Sequence, residues 1–124
     1  MTRRDWLWIA SMELCRKYCG CHQMAERSFF LGSYQFPLCA RCTGIAIGHA
    51  AAFLTGFFYT FRYSTALLGI PLALDGTIQY FTSYRSDNRK RLVTGILYGF
   101  AFTSVIWHIF RDVSARLNEV RRIR

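Results

Sequence analysis

Three apolar stretches, 43–61, 65–82 and 92–110, follow a segment that holds every cysteine of the chain, and their length constrains the fold more than any motif does. About 19 residues at roughly 1.5 Å each reach about 28 Å, close to the hydrocarbon thickness of a bilayer. Charge is sparse across them: between Arg41 and Arg85 the acidic, basic and histidine side chains are His49, Arg62 and Asp75. A chain of 124 residues with 52% hydrophobic and 17% aromatic residues is greasier than a soluble domain of that size. The expected architecture is a single all-α integral membrane domain over 1–124. It has an interfacial helix over 4–18, a Cys/His knuckle over 19–42, three transmembrane helices over the stretches above and a charged helical tail over 111–124.

With three crossings, the cysteine segment and the basic loop 83–91 lie on one membrane face, whichever way the chain inserts. Lysine and arginine number six before the first span, one in the first link, four in the second loop and five in the tail. The positive-inside rule therefore expects a cytoplasmic N-terminus, ten against six. The formal charge of +9 flanks the spans and is not interleaved along one surface, so no nucleic-acid partner is expected and membrane lipid is. No signal peptide is expected either, because Arg3, Arg4 and Asp5 precede an apolar run broken by Glu13, Arg16 and Lys17.

Residues 4–18 group Trp6, Leu7, Ile9, Ala10 and Leu14 on an apolar side. A helix this short and charged suits the headgroup region or packs on the cysteine segment, and both alternatives stand. Gly20, Gly32 and Pro37 interrupt 19–42, which reads as a loop in need of an organiser such as a metal. Gly44, Gly48, Ala52 and Gly56 in the first span, Gly95, Gly99 and Thr103 in the third, and Gly69, Ala73 and Thr77 in the second predict close packing of all three helices. Such small-residue faces are also the expected route to a homo-oligomer. Pro71 predicts a kink in the first third of the second helix.

Cys39-Ala40-Arg41-Cys42 is a C-x-x-C pair that runs into the first span, where a helix N-terminus favours thiolates. Upstream, Cys19-Gly20-Cys21-His22 offers either cysteine beside a histidine. Soft ligands of this kind select one metal ion, zinc first and iron second. A redox dithiol at Cys39 and Cys42, or inert thiols, are the competing readings, although no thioredoxin-like β-α-β pattern surrounds the pair. In a cytosolic setting the five thiols stay reduced.

Cys21-His22, Glu26-Arg27-Ser28-Phe29 and Pro37-Leu38-Cys39-Ala40-Arg41-Cys42-Thr43-Gly44 together resemble the signature of a family of small bacterial and archaeal membrane proteins, the domain of unknown function 2085. Asp75-Gly76 with Gln79, and Arg85-Ser86 with Asn88, Arg89, Thr94 and Gly95, are similar to its second block. The likeness spans roughly 19–100 and implies a membrane location but no reaction. It matches Cys21, whereas spacing alone prefers Cys19 beside His22. The expected metal ligands are therefore Cys21, His22, Cys39 and Cys42, with Cys19 as the rival.

A carboxylate inside a span costs about 2.5–3.5 kcal/mol on insertion scales, so Asp75 needs a partner. His49 or a loop arginine is the expected one, or a protonated Asp75 bonds Gln79, one helical turn away. By depth, His49, Asp75, Gln79 and Thr94 share the half of the membrane next to the cysteines. That convergence predicts a pocket with Asp75 and Gln79 as catalytic groups and Arg85, Asn88 and Arg89 gripping an anionic headgroup. The corresponding function is a metal-binding membrane protein acting as an enzyme on an anionic, lipid-like substrate at the cytoplasmic leaflet. The alternative is a structural or regulatory membrane subunit with a structural metal clip. Transport is a third class, for which three short helices make a poor pore. The residues themselves do not decide whether it is an enzyme.

Overall fold

A computed structural model describes residues 1–123. In chain order it contains α1 (Arg3–Cys19), β1 (Ser28–Leu31), β2 (Tyr34–Cys39), α2 (Ala40–Thr55), α3 (Ile70–Phe81) and α4 (Asn88–Ile123), with 3-10 turns at Ala25–Arg27 and Tyr63–Gly69.

The start of α1 is fixed by a capping box. The Thr2 side chain accepts from the Asp5 N–H, while Asp5 Oδ2 accepts from the Thr2 N–H at 2.6 Å. Gly20, at φ 60°, supplies the left-handed residue that ends the helix. The helix packs on the hairpin through Asp5 and Trp8, and Ser11, Met12 and Cys15 are half-buried on the same face at helical spacing. Trp8 Nε1 donates to Gln35 O at 2.7 Å, and the Tyr34 hydroxyl donates to Asp5 Oδ1 at 2.6 Å. Of the two alternatives for this helix, packing on the cysteine segment is thus realised. Trp6, Leu7 and Leu14 remain exposed on its other side.

The segment expected as an unstructured knuckle holds an antiparallel hairpin, paired Ser28 with Cys39, Phe30 with Gln35 and Leu31 with Tyr34. Gly32, at φ 65°, makes the tight connection possible. Pro37, which argues against a strand, is tolerated because the sheet has two strands and both are edges. Two glutamines fasten the hairpin to its surroundings: Gln23 Nε2 donates to Met12 O and Pro37 O, and Gln35 Nε2 to Gln23 O.

The expectation of three full-length spans needs correction. Among the described residues, α4 is the one helix long and apolar enough to cross a bilayer. The α-helix of the first stretch stops at Thr55, and the second stretch is a 3-10 turn followed by the 12-residue α3. Pro71 does not kink a continuous helix; it sits in the first turn of α3, where its missing N–H costs nothing. The charged tail continues α4, as expected from its pattern, to Ile123.

Packing of α2 on α4 follows the small-residue stripes. A Cβ on Gly44, Gly48, Gly95 or Gly99 would collide with backbone of the facing helix, so only glycine permits this approach. Gly56 instead receives the Trp107 indole. The second stretch packs on α4 without a glycine-mediated close approach: a Cβ on Gly69 would touch Tyr98, at 3.7 Å, and one on Gly76 would meet nothing within 4 Å. His49 turns to Thr103 in α4, Nδ1 to Oγ1 2.7 Å, and so belongs to the helix pair and not to Asp75.

Candidate metal centre and its polar floor

The sulfurs of Cys21, Cys39 and Cys42 converge, all within 4.8 Å of one another. Local folding explains how. Gly20 and Gln23, both at positive φ, reverse the chain so that Cys21 faces the end of β2. Cys39 then closes β2 and caps α2, its sulfur accepting from the Cys42 N–H at 3.4 Å. The Cys39 N–H points at Cys21 Sγ, 3.3 Å away. All five cysteines are free thiols.

Cys21 is 5% exposed. Burial opposes its thiolate, but donation from the Cys39 and Gln23 backbone and from the Cys39 and Cys42 thiols outweighs it and sets the pKa below the usual thiol value. N–H groups aimed at sulfur are also what holds ligating thiolates in place. A tetrahedral ion with bonds of about 2.3 Å to sulfur spaces its ligands about 3.8 Å apart, so the three sulfurs need to close by no more than about 1 Å. Donor type and spacing both fit a soft divalent ion.

The structure distributes the expected ligands unevenly. Cys21, Cys39 and Cys42 stand together, Cys19 is exposed on the end of α1, and His22, also exposed, lines the cavity beside the three sulfurs without joining the close group.

Below this cluster lies a polar network. Asp75 Oδ2 accepts from Arg41 Nη2 at 2.8 Å, Gln79 Nε2 at 2.7 Å and Ser86 Oγ at 3.2 Å. Arg91, 5% exposed, donates to Ser86 Oγ at 3.1 Å and to Gln79 Oε1 at 3.4 Å. The helical-turn spacing of Asp75 and Gln79 thus does place them in contact. The partner of Asp75, however, is Arg41, the residue between the two C-x-x-C cysteines, and neither His49 nor a loop arginine. Sequence reasoning missed Arg91 and Ser86 as buried members. The usable signal was depth: an acid buried about two helical turns from the loop needs donors at that level, and Arg41, Ser86 and Arg91 border it.

Arg85 is exposed and approaches Glu26 at 3.5 Å, which links the knuckle to the basic loop. Asn88 opens α4, and its N–H donates to Asp87 Oδ1. Arg89, with Lys90, Tyr84, Asp75 and Thr94, lines an open groove of about 630 Å³ whose apolar wall includes Pro71, Ile78 and Val93. His108 stacks on Tyr63 with centroids 4.0 Å apart, at the far end of the helix pair.

A family model described as a predicted membrane protein, DUF2085, matches residues 21–105. Similar proteins include an uncharacterized protein of Methanothermobacter thermautotrophicus, 36% identical over 102 residues that cover 75% of this chain and 92% of the relative. Another, from Methanocaldococcus jannaschii, is 35% identical over 101 residues, covering 75% of this chain and 65% of its own length. No solved structure matches the chain.

Proposed function

The chain belongs to the DUF2085 family of predicted membrane proteins, and on that premise we propose that it is a multi-pass membrane protein carrying one thiolate-bound metal ion at the cytoplasmic face. Convergence of the Cys21, Cys39 and Cys42 sulfurs carries the proposal. Zinc comes before iron because three thiolates with a fourth position open toward His22 suit the Cys3His donor set of tetrahedral zinc. Exposed large apolar side chains on every helix of the bundle support a lipid setting for all of it: Phe53 and Leu54 on α2, Leu74 and Ile78 on α3, Phe102 and Ile106 on α4. The excess of lysine and arginine on the cysteine side supports the cytoplasmic orientation. Exposed Trp6, Leu7 and Leu14 let α1 rest on the headgroups while its other face holds the hairpin.

Metal analysis of the purified protein tests this. One ion per chain is expected, lost in Cys39→Ser and kept in Cys19→Ser; an equal content in all three would overturn the assignment. His22→Ala decides whether that residue is a further ligand.

The groove between α3 and α4 favours a second reading, binding of an anionic, lipid-like molecule. Its apolar wall suits a chain, and Arg89 and Lys90, flanked by Arg85 and Asn88, suit the headgroup. In an enzyme of this type Asp75 and Gln79 would face the substrate; in a structural or regulatory subunit they would only hold Arg41. Comparing Asp75→Asn with Arg89→Ala separates these. Loss of lipid binding in Arg89→Ala marks the groove as a site, and a stability change alone in Asp75→Asn marks the subunit.

A further inference from the structure

The cavity of about 190 Å³ that Cys21, Cys39, Cys42 and His22 line is walled on its other side by Arg27, Arg41 and Arg91. We propose that this cavity binds a phosphate group, at a site distinct from the α3–α4 groove and additional to the metal reading. Three observations carry the inference. First, the guanidiniums are held there by construction: Arg91 is 5% exposed and fixed by Ser86 and Gln79, and Arg41 is fixed by Asp75. Second, hydrogen-bonding capacity is left over. Arg41 Nε is buried and has no partner among the described residues, and Arg27 stands half-buried on the cavity wall. A buried donor without an acceptor is costly, which an incoming oxyanion relieves.

Third, the charges do not cancel. Arg27 and Arg41 act on Arg91 with like charge, and Asp75 is the one carboxylate among the groups acting on it. Three guanidiniums against one carboxylate leave two positive charges with neutral thiols. A divalent ion on three thiolates adds one negative charge and still leaves one positive. The cavity therefore attracts an anion with or without metal. Phosphate is the class favoured over carboxylate, because a tetrahedral oxyanion presents acceptors in several directions to the donors left over on Arg27, Arg41 and Arg91, and a planar carboxylate presents them in one plane. The volume is several times the roughly 30 Å³ share of one water, so the group fits.

The test uses the full-length protein in phosphatidylcholine nanodiscs, with inorganic phosphate titrated by calorimetry and metal content measured on the same samples. Arg27→Gln is the decisive variant, because it leaves the Arg41–Asp75–Gln79–Ser86–Arg91 network intact; Arg62→Gln is the charge-matched control. Saturable phosphate binding, weakened about tenfold or more by Arg27→Gln and unchanged by Arg62→Gln, supports the site, since one charge-assisted hydrogen bond is worth at least that factor. Absence of binding, or equal weakening by both variants, overturns it. Failure here with metal present leaves the metal centre standing, and phosphate binding without metal does the reverse. Nanodiscs doped with phosphatidic acid identify the source: competition with inorganic phosphate assigns a lipid headgroup, and undiminished binding assigns the free anion.

Discussion

Gly95→Ala should separate α2 from α4, and the structure sets the size of the effect. A Cβ at Gly95 would lie 2.5 Å from Arg41 O, 3.1 Å from Ile45 N and 3.2 Å from Gly44 Cα. All three are backbone atoms, so no rotamer change makes room. Non-bonded carbon contacts relax at about 3.5 Å, so the start of α2 must retreat by about 1 Å. Overpacking of this kind costs up to about 3 kcal/mol, while alanine gains about 1 kcal/mol in helix propensity over glycine. The expected net loss is about 2 kcal/mol. Gly76→Ala provides the control, because a Cβ there meets nothing within 4 Å; it should gain up to about 1 kcal/mol. Denaturant titration in detergent, followed through tryptophan fluorescence, reads both, since Trp107 packs against Phe53 and Phe57 across the helix pair. The same retreat shifts Arg41 and Cys42, so metal retention should fall in Gly95→Ala alone. Equal stability of the two variants would refute the close-approach argument.

Asp75→Asn removes a charge-assisted pair at a carboxylate whose side chain is 12% exposed; a loss of about 1.5–3 kcal/mol is expected by denaturant titration. Arg111→Gln should cost about 1 kcal/mol by the same measurement, because the guanidinium closes the end of α2 at Gly56 O and reaches Thr60 Oγ1 at 2.8 Å. Hydrogen exchange should show α1 docked to the hairpin over a defined pH window. The Tyr34 hydroxyl and Thr2 lower the Asp5 pKa from 3.8, so that contribution is present above 3.8 and is lost as pH falls through the lowered value. Asp5 in turn raises the Tyr34 pKa from 10.0, so the tie holds below 10.0 and is lost as pH rises through the raised value. Tyr34→Phe should abolish the alkaline limit and weaken the acid one, because Thr2 still bonds the Asp5 carboxylate. Chelation should loosen the segment around Cys21 while leaving the hairpin protected, since Gln23 and Gln35 fasten it independently of any ion; melting of the hairpin on chelation would contradict this.

Hydropathy and small-residue spacing by themselves pointed to a helical, membrane-associated chain whose helices approach through glycine stripes; the structure pairs Gly44 and Gly48 with Gly95 and Gly99. These are properties of a helix face read at fixed periodicity, although the stripe of the second stretch shows that a face alone does not name its partner. The C-x-x-C turn and the Asp75–Gln79 contact were legible for the same reason, because each lies within about one helical turn. Tertiary structure alone decided which residues complete the two groups. Spacing alone preferred Cys19 and the family resemblance pointed to Cys21; the structure brings Cys21 to Cys39 and Cys42 through positive φ at Gly20 and Gln23, the second of which a non-glycine residue does not announce. The β-hairpin escaped notice because Pro37 disfavours a strand unless that strand is an edge, and edge position is a fact of topology. Arg41 and Arg91, read as a thiol neighbour and a topology charge, become the floor of the site because the packing of α2 on α4 and the return of α3 bring residues about 50 positions apart to one level. Local periodicity is written along the chain, whereas the partners of a buried charge are chosen by whatever the fold brings within hydrogen-bonding distance.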